Sequence, residues 1–460
     1  MNWGELDGDF AMSIKSELID ALEDRPPPLK SLFAGVQHLL ASFVGIVAPA
    51  LIIGGVLDLG AEISYLISMS LIASGIGTLI QATQPFGIGA KMLCLQGTSF
   101  TFVGVIITIG LSVREAGGSS ADLLSLIFGL CIAGSVLQIA LSPFIPKLKK
   151  FITPLVTGIV VTSIGVSLIK VAMTDLAGGL AAESFGSPAN LFLGLAVIVT
   201  VIVLNCSNND WVRLSSILAG LVVGLILALL TGELSPSEFH VSTNVSVPTP
   251  FLYGLDFDAL AFIPIAVIFL ISSVETAGDI TANCSICNQP VHGGAYVDRV
   301  RRGVLADGVN SLISATLNSF PNTTFSQNNG VIQLTGIASR HVGIYVACML
   351  MILGLVQSLG DILQLIPKPV IGGATMLMFG SVAATGLAIL GSLELNRRQL
   401  MIIGISLGLG LGPSLVPGAV DGLPTLLKTL LGSAAATAGL TAILLHALLP
   451  DRLTVKARSK

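Results

Sequence analysis

Three carboxylates and one imidazole lie where an apolar chain has least reason to carry them. Glu275 and Asp279 follow the run Ile265-Ala266-Val267-Ile268-Phe269-Leu270-Ile271, Asp307 shares a weakly hydrophobic stretch with Asn310 and Asn318, and His38 opens an otherwise apolar segment. An ionisable group inside a bilayer costs at least ~2.5 kcal/mol, so each needs a function or a partner. Glu275 reads in two ways: a helix-end charge reaching the cytoplasmic surface, or a mid-membrane acceptor for the N–H groups of a polar ligand. His38 reads as a structural imidazole or a ligand contact. Asp307 suits a proton relay, and a hydrogen bond to a neighbouring helix accounts for it equally.

A second cluster is the string Ser326-Gln327-Asn328-Asn329, whose four polar side chains and backbone amides must be satisfied inside protein or in a water-lined cavity. Gln327 carries a paired donor and acceptor, suited to the edge of a planar heterocycle with alternating N–H and C=O groups. In the first half of the chain, Gln96-Gly97-Thr98-Ser99-Phe100 makes a comparable polar break. A helix starting after each break would offer its positive N-terminal end to an electron-rich ligand. Phe100 could stack on a flat ring or pack against lipid or core. Cys284 and Cys287 form a CxxC, but there is no second pair, so a metal site is not expected.

The elements that must hold these groups are set by composition. Hydrophobic residues make up 53% of the 460, and charged residues 10%, against roughly 25% in soluble domains. The 26 acidic and 22 basic side chains could not coat a water-soluble body of this size. A soluble enzyme, a disulfide scaffold, a disordered chain and a nucleic-acid binder are all poorly supported, and the bilayer is the expected solvent. Residues 1–30, polar and carrying Pro26-Pro27-Pro28, do not read as a cleavable leader. The first apolar span is therefore expected to direct insertion.

Windows of about 20 apolar residues fall near 32–57, 61–83, 121–145, 151–173, 190–206, 213–231, 257–277, 343–359, 370–390 and 425–449. The stretches 400–419 and 303–319 are less regular, and 100–112 and 330–338 are too short to cross. Together they give about 14 membrane segments. With both termini in the cytoplasm, every Lys and Arg except Arg114, Lys170, Lys368 and Lys428 falls on the cytoplasmic side, as the positive-inside rule requires. The two short segments, and likewise His38 and Glu275, are separated by about half the chain. An odd number of segments per half inverts the second half relative to the first. Interrupted helices in corresponding positions of two halves point to a transporter's substrate site.

Gln327-Asn328-Asn329-Gly330-Val331-Ile332-Gln333-Leu334-Thr335-Gly336 fits the signature of the nucleobase–ascorbate transporter (nucleobase:cation symporter-2) family. Asn318-Ser319-Phe320-Pro321-Asn322, the Gln37-His38 pair, Gln96 to Phe100 and Glu275-Thr276-Ala277-Gly278-Asp279 match the family's other landmarks. The chain thus resembles that family over residues 22–450, and within it the bacterial xanthine permeases. The resemblance implies an all-α polytopic membrane fold of ~14 transmembrane segments in a 7+7 inverted repeat, with short strands in segments 3 and 10. It divides the chain into a cytoplasmic segment 1–30, core-domain parts 31–145 and 256–360, gate-domain parts 146–231 and 361–450, an extracytoplasmic linker 232–255 and a cytoplasmic tail 451–460. Substrate contacts carry over to Glu275, Gln327, Phe100, Ser99 and Ser326, with Ser99 and Ser326 lending backbone contacts. The proton-coupling and supporting network carries over to Asp307, His38, Asp279 and Asn328.

The implied activity is elevator-type import of a purine by proton symport across the bacterial inner membrane, in a homodimer joined through the gate domains. No cofactor is expected, the proton gradient being the energy source, and no nucleic-acid partner. Xanthine is the first expectation and urate the second, because position 99 holds Ser where some xanthine-selective relatives carry Asn. Gln rather than Glu at 327 argues against the uracil branch. A channel would need a continuous polar path, whereas polarity here gathers at two breaks. An anion carrier of the same fold should lack an acid at Glu275. No nucleophile–base motif or cofactor signature marks an enzyme.

Overall fold

The computed structural model describes residues 18–145, 153–179, 182–234, 245–291, 293–393, 395–416, 418–420 and 422–449. Most of the N-terminal segment, the Lys147, Lys149 and Lys150 cluster, the middle of the 232–255 linker and the tail 451–460 lie outside them. The first half runs α1 (Pro28–Val56), α2 (Glu62–Thr83), β1 (Gln96–Thr98), α3 (Val103–Glu115), α4 (Ser120–Leu141), α5 (Pro154–Leu176), α6 (Pro188–Asn205), a short α7 (Asp210–Leu214) and α8 (Ser216–Thr231). The second half runs α9 (Ala259–Ile286), α10 (Gly293–Thr316), β2 (Asn322–Thr324), α11 (Ser326–Thr335), α12 (Arg340–Leu355), α13 (Gln357–Gln364), α14 (Lys368–Gly391), α15 (Arg397–Leu415), α16 (Thr425–Gly432) and α17 (Ala434–Leu448).

Among the described residues, eight helices are long and apolar enough to span a bilayer, and α8, α12 and α17 are shorter apolar helices. The remaining three segments depart from the apolar rule for separate reasons. The first turns of helix α10 carry Asp298, which pairs with both Arg301 and Arg302 at 2.6 Å, so only its latter part reads as hydrophobic. Helices α3 and α11 are half-length. The expected segments and their order are therefore present, with adjusted boundaries. Segment eight runs on to Ile286, so Glu275 is interior to a helix and not at its end. The last apolar window is two helices meeting at Ser433.

Neighbour relations reveal the repeat. Helix α2 packs on α12 as α10 packs on α4, α1 meets α12 as α9 meets α4, and α6 pairs with α8 as α15 pairs with α17. Helix α5 packs against α14, its own counterpart. Each relation maps onto the other by a shift of seven segments, the mark of a 7+7 inverted repeat. One bundle contains α1–α4 and α9–α12, and the other contains α5, α6, α8, α14, α15 and α17. In the second bundle, α5 and α14 approach so closely that a Cβ on Gly165 would sit 2.3 Å from the Ala383 nitrogen. Small residues at such crossings replace the hydrophobic drive that lipid does not supply.

At the centre of the first bundle the two breaks pair as antiparallel strands, with Gln96 opposite Thr324, Gly97 opposite Thr323 and Thr98 opposite Asn322. The ladder continues through Phe325 N to Leu95 O (3.0 Å) and Ser99 N to Pro321 O (2.9 Å). Backbone at membrane depth must be satisfied internally, and each break supplies the partner the other lacks. Gly97 is required here, since a Cβ would lie 2.5 Å from the Phe325 ring. Because each strand runs directly into its helix and the strands are antiparallel, α3 and α11 leave the pair in opposite directions with their N-termini at it.

The N-terminal segment packs against the far end of α11. Asp20 bridges Ile337 in parallel fashion, Arg340 N donates to Leu22 O at 3.0 Å, and Leu22 is buried. Glu23 pairs with both Lys91 (3.1 Å) and Arg340 (2.9 Å). Partial burial pushes its carboxyl up, but these two cations hold it below the usual range. Three of the four basic residues that break the sidedness pattern have polar partners of their own. Arg114 donates to the Leu57 carbonyl that ends α1, Lys170 to Ser414 O, and Lys428 pairs with Glu115 at 3.4 Å.

Candidate functional site

Helix α9 is the post to which both broken helices are fastened. Glu275 and Asp279 stand one turn apart on it and so share a face. Thr101 Oγ1 donates to Glu275 Oε2 at 2.9 Å, across from the 3₁₀ turn Phe100–Phe102 that follows β1. Asp279 takes Thr324 Oγ1 at 2.9 Å and Ser326 Oγ at 2.7 Å, joining the end of β2 to the start of α11. Glu275 thus serves the first break and Asp279 the second. Glu275 is half-buried, whereas Ser326 and Gln327 are exposed.

The polar string 326–329 occupies the first turn of α11, not the break before it. Its members divide by direction. Gln327 points outward and carries no side-chain hydrogen bond to a described residue. Asn328 turns inward, its Nδ2 donating to Leu93 O at 2.6 Å. Asn329 is gripped from α9, receiving Asn283 Nδ2 at 2.9 Å and donating to Asp279 O at 3.3 Å. No side chain caps α11, so the free N–H groups at its start remain available to a ligand, whereas α3 continues the 3₁₀ turn, and its first N–H, that of Val103, is taken by Phe100 O.

The other expected residues lie behind this face. Asp307 is fully buried on α10, and its Oδ2 accepts from Gln138 Nε2 and Thr276 Oγ1, each at 2.9 Å. Thr276 also meets Thr323 Oγ1 at 3.1 Å, which connects Asp307 to β2. Oδ1 of Asp307 makes no hydrogen bond of normal geometry among the described residues, and Gln96 is a further polar side chain beside the carboxylate. His38 is fully buried on α1. Neither ring nitrogen makes a hydrogen bond of normal geometry, and the polar side chain beside it is Asn328. Ser99 is buried with its N–H committed to Pro321 O, leaving its hydroxyl as the unsatisfied atom.

Phe100 faces the other bundle and meets Phe379 of α14 edge-on, with centroids 5.5 Å apart at 85°. The next residue but one, Phe102, turns the opposite way and packs on Phe269 of α9 at 4.6 Å. A small cavity opens between the bundles beside Phe100 and Thr101, closed on the far side by Ile164, Ser167, Leu168 and Ser433. Among the described residues, no lysine or arginine forms an ion pair with Glu275, Asp279 or Asp307. The face thus offers acceptors, one free amide and the uncapped N-terminus of α11, an assembly matched to a neutral polar heterocycle.

Sequence reasoning gave no role to Thr101, Gln138, Thr276 and Asn283, uncharged polar residues that average hydropathy hides, nor to Thr324, which lies in the visible second break. Among the helical ones a signal existed for Thr276 and Asn283, which lie seven residues apart and so share one helix face. Cys284 and Cys287 are buried on the same helix, and Cys287 donates its thiol to Asn283 Oδ1 at 3.2 Å.

Residues 29–419 match the sequence model of a family described as the Permease family. The chain is 44% identical over 402 residues to xanthine permease XanP of Escherichia coli strain K12, covering 86% of this chain and 87% of that protein. It is 43% identical over 396 residues to xanthine permease XanQ of the same strain, covering 85% of each. In three dimensions it is similar to the transmembrane domain of a cyanobacterial bicarbonate transporter, BicA, with a TM-score of 0.58, 14% identity, and 90% of this chain and 99% of that one covered. The last is a likeness of fold alone.

Proposed function

Since the chain belongs to the nucleobase–ascorbate transporter family, whose permease model its residues 29–419 match, we propose that it is a secondary active transporter that imports a purine nucleobase by proton symport. Xanthine is the first substrate, on the strength of the relatives named for it, and urate the second. The observation that carries this reading is that α9 bonds both breaks, Glu275 to Thr101 and Asp279 to Ser326, with Gln327 exposed at the uncapped start of α11.

In this mechanism the purine lies edge-on to α9 and α11. Glu275 accepts ring N–H groups, the Gln327 amide meets an adjoining donor–acceptor pair, and the free N–H groups at the start of α11 take an exocyclic oxygen. Phe100 supplies the flat wall, with Ser99 and Ser326 beside it. Asp279 and Asn328 hold the second break in register, and His38 backs Asn328. Asp307, fully buried and held through its Oδ2 by Gln138 and Thr276, is the proton-coupling group, linked to the strand pair through Thr276 and Thr323.

The bundle of α1–α4 and α9–α12 is the moving core, in parts 31–145 and 256–360. The bundle of α5, α6, α8, α14, α15 and α17 is the gate, in parts 146–231 and 361–450, and dimerises with a second copy. Transport proceeds as the core slides past the gate at the Phe100–Phe379 contact, in the bacterial inner membrane with both termini cytoplasmic. An anion carrier is disfavoured by three acids unmatched by a paired cation.

Uptake of labelled xanthine by intact cells tests the reading. Glu275→Ala and Gln327→Ala should each abolish saturable uptake while the protein remains in the membrane, and an uncoupler should stop accumulation. Unimpaired uptake by both variants would refute the site, and sodium-dependent uptake insensitive to the uncoupler would refute the coupling.

A further inference from the structure

Resting on that reading of Glu275, we infer that Thr101 is a positioning residue that sets the substrate-binding carboxylate and the neighbouring aromatic wall in one fixed relation. Hydroxyls in this protein generally bond back to the carbonyl four residues earlier, as Thr83 does to Leu79 O, Ser135 to Cys131 O and Thr162 to Gly158 O. That bond keeps a hydroxyl on its own helix. Thr101 has no such option. The residue four before it, Gly97, belongs to β1 and pairs with Thr323. Its hydroxyl is thus released from the local backbone, and it crosses to α9 to donate to Glu275 Oε2.

The turn that carries Thr101 leaves it little freedom to do anything else. Its three side chains go to three places: Phe100 to Phe379 of the opposite bundle, Thr101 to Glu275, and Phe102 to Phe269. Phe102 and Phe269 are both fully buried, and Thr101 is 4% exposed. The Phe102–Phe269 contact anchors the turn to α9, and the Thr101 bond then fixes the rotation of the Glu275 side chain on the same helix. With Oε2 held by Thr101, Oε1 is the oxygen presented to a ligand N–H. Phe100 is covalently next to Thr101, so the same bond fixes the offset between carboxylate and ring. The second break has its own equivalent in Asp279 with Thr324 and Ser326, about 6 Å further along α9.

The test compares initial-rate xanthine uptake over a concentration series for Thr101→Val, Thr101→Ala, Thr101→Ser and Glu275→Ala, with membrane level measured for each. Val keeps the volume and removes the donor. A lost hydrogen bond to a charged group should raise KM about tenfold or more, with Vmax per transporter within about twofold. Thr101→Ser should return KM to within about twofold of the parent, because it restores the hydroxyl without the methyl. Should Thr101→Val not reach the membrane, Thr101→Ala removes the same donor without adding bulk, and its KM decides. A parent-like KM in the Val and Ala variants overturns the inference. So does a loss in Thr101→Ser equal to that in Thr101→Val, which would mark the side chain as packing alone. Glu275→Ala separates the two readings: if it transports saturably, the site itself is wrong, whereas a dead Glu275→Ala beside a parent-like Thr101→Val sinks only the positioning role.

Discussion

Replacing Asp307 in two ways separates its role as a hydrogen-bond acceptor from its role as an acid. Its Oδ2 accepts two buried donors, Gln138 Nε2 and Thr276 Oγ1, while Oδ1 makes no hydrogen bond of normal geometry among the described residues. Asn at 307 can keep one oxygen under both donors and set its amide nitrogen where Oδ1 stood. Ala removes the acceptor and strands the Gln138 amide in a buried interior, while Thr276 can turn its hydroxyl to Thr323 Oγ1 at 3.1 Å. A stranded donor costs about 1–3 kcal/mol, so Asp307→Ala should be destabilised by about that much relative to Asp307→Asn before any cavity cost is added. The assay is thermal melting of the purified protein in detergent, alongside uptake in cells. Asp307→Asn should melt near the parent and reach the membrane at parental level, yet fail to accumulate xanthine against a gradient. Asp307→Ala should melt well below both. Equal melting of the two variants would refute the bonding argument. Uphill accumulation by Asp307→Asn would remove Asp307 from the proton path.

Two further outcomes follow from the packing. Gly97→Val should not reach the membrane, because any Cβ there meets the Phe325 ring at 2.5 Å and Ile46 at 2.9 Å; immunoblots of membrane fractions check this, and normal levels would contradict the strand pairing. Glu23→Gln should lower melting only slightly, since its ion pairs are exposed and worth less than about 1 kcal/mol. Because Lys91 and Arg340 hold the Glu23 carboxyl below its usual range, its contribution is present at neutral pH and lost as pH falls through the depressed value. The melting difference between parent and Glu23→Gln should accordingly vanish in acid, and a difference that grows there would contradict the sign.

Much of the architecture was legible because hydropathy reports what faces lipid. The breaks at Gln96–Phe100 and Thr323–Gly330 stood out, since polar runs in an apolar chain have no cheap location except against each other. Hydropathy failed where protein covers polar side chains. Helix α9 continues nine residues beyond the apolar window, through Asp279 and Asn283, because the second break takes up their hydrogen bonds. Helix α10 was half hidden by the charges at its start. The string Ser326 to Asn329 read as a break because its polarity was visible and its helical first turn was not. Glu275, Asp307 and Gln327 could be picked out by type alone, whereas Thr101 could not. A threonine between two phenylalanines looks apolar until the turn that frees its hydroxyl is known.

Equilibrium binding of labelled xanthine to the purified parent, Glu275→Ala and Gln327→Ala tests the central claim most directly, because it removes the driving gradient and leaves only the site. The account predicts saturable binding to the parent and its loss in both variants at unchanged melting temperature. Parent-like binding in both variants, or no purine binding by a folded parent, would contradict it.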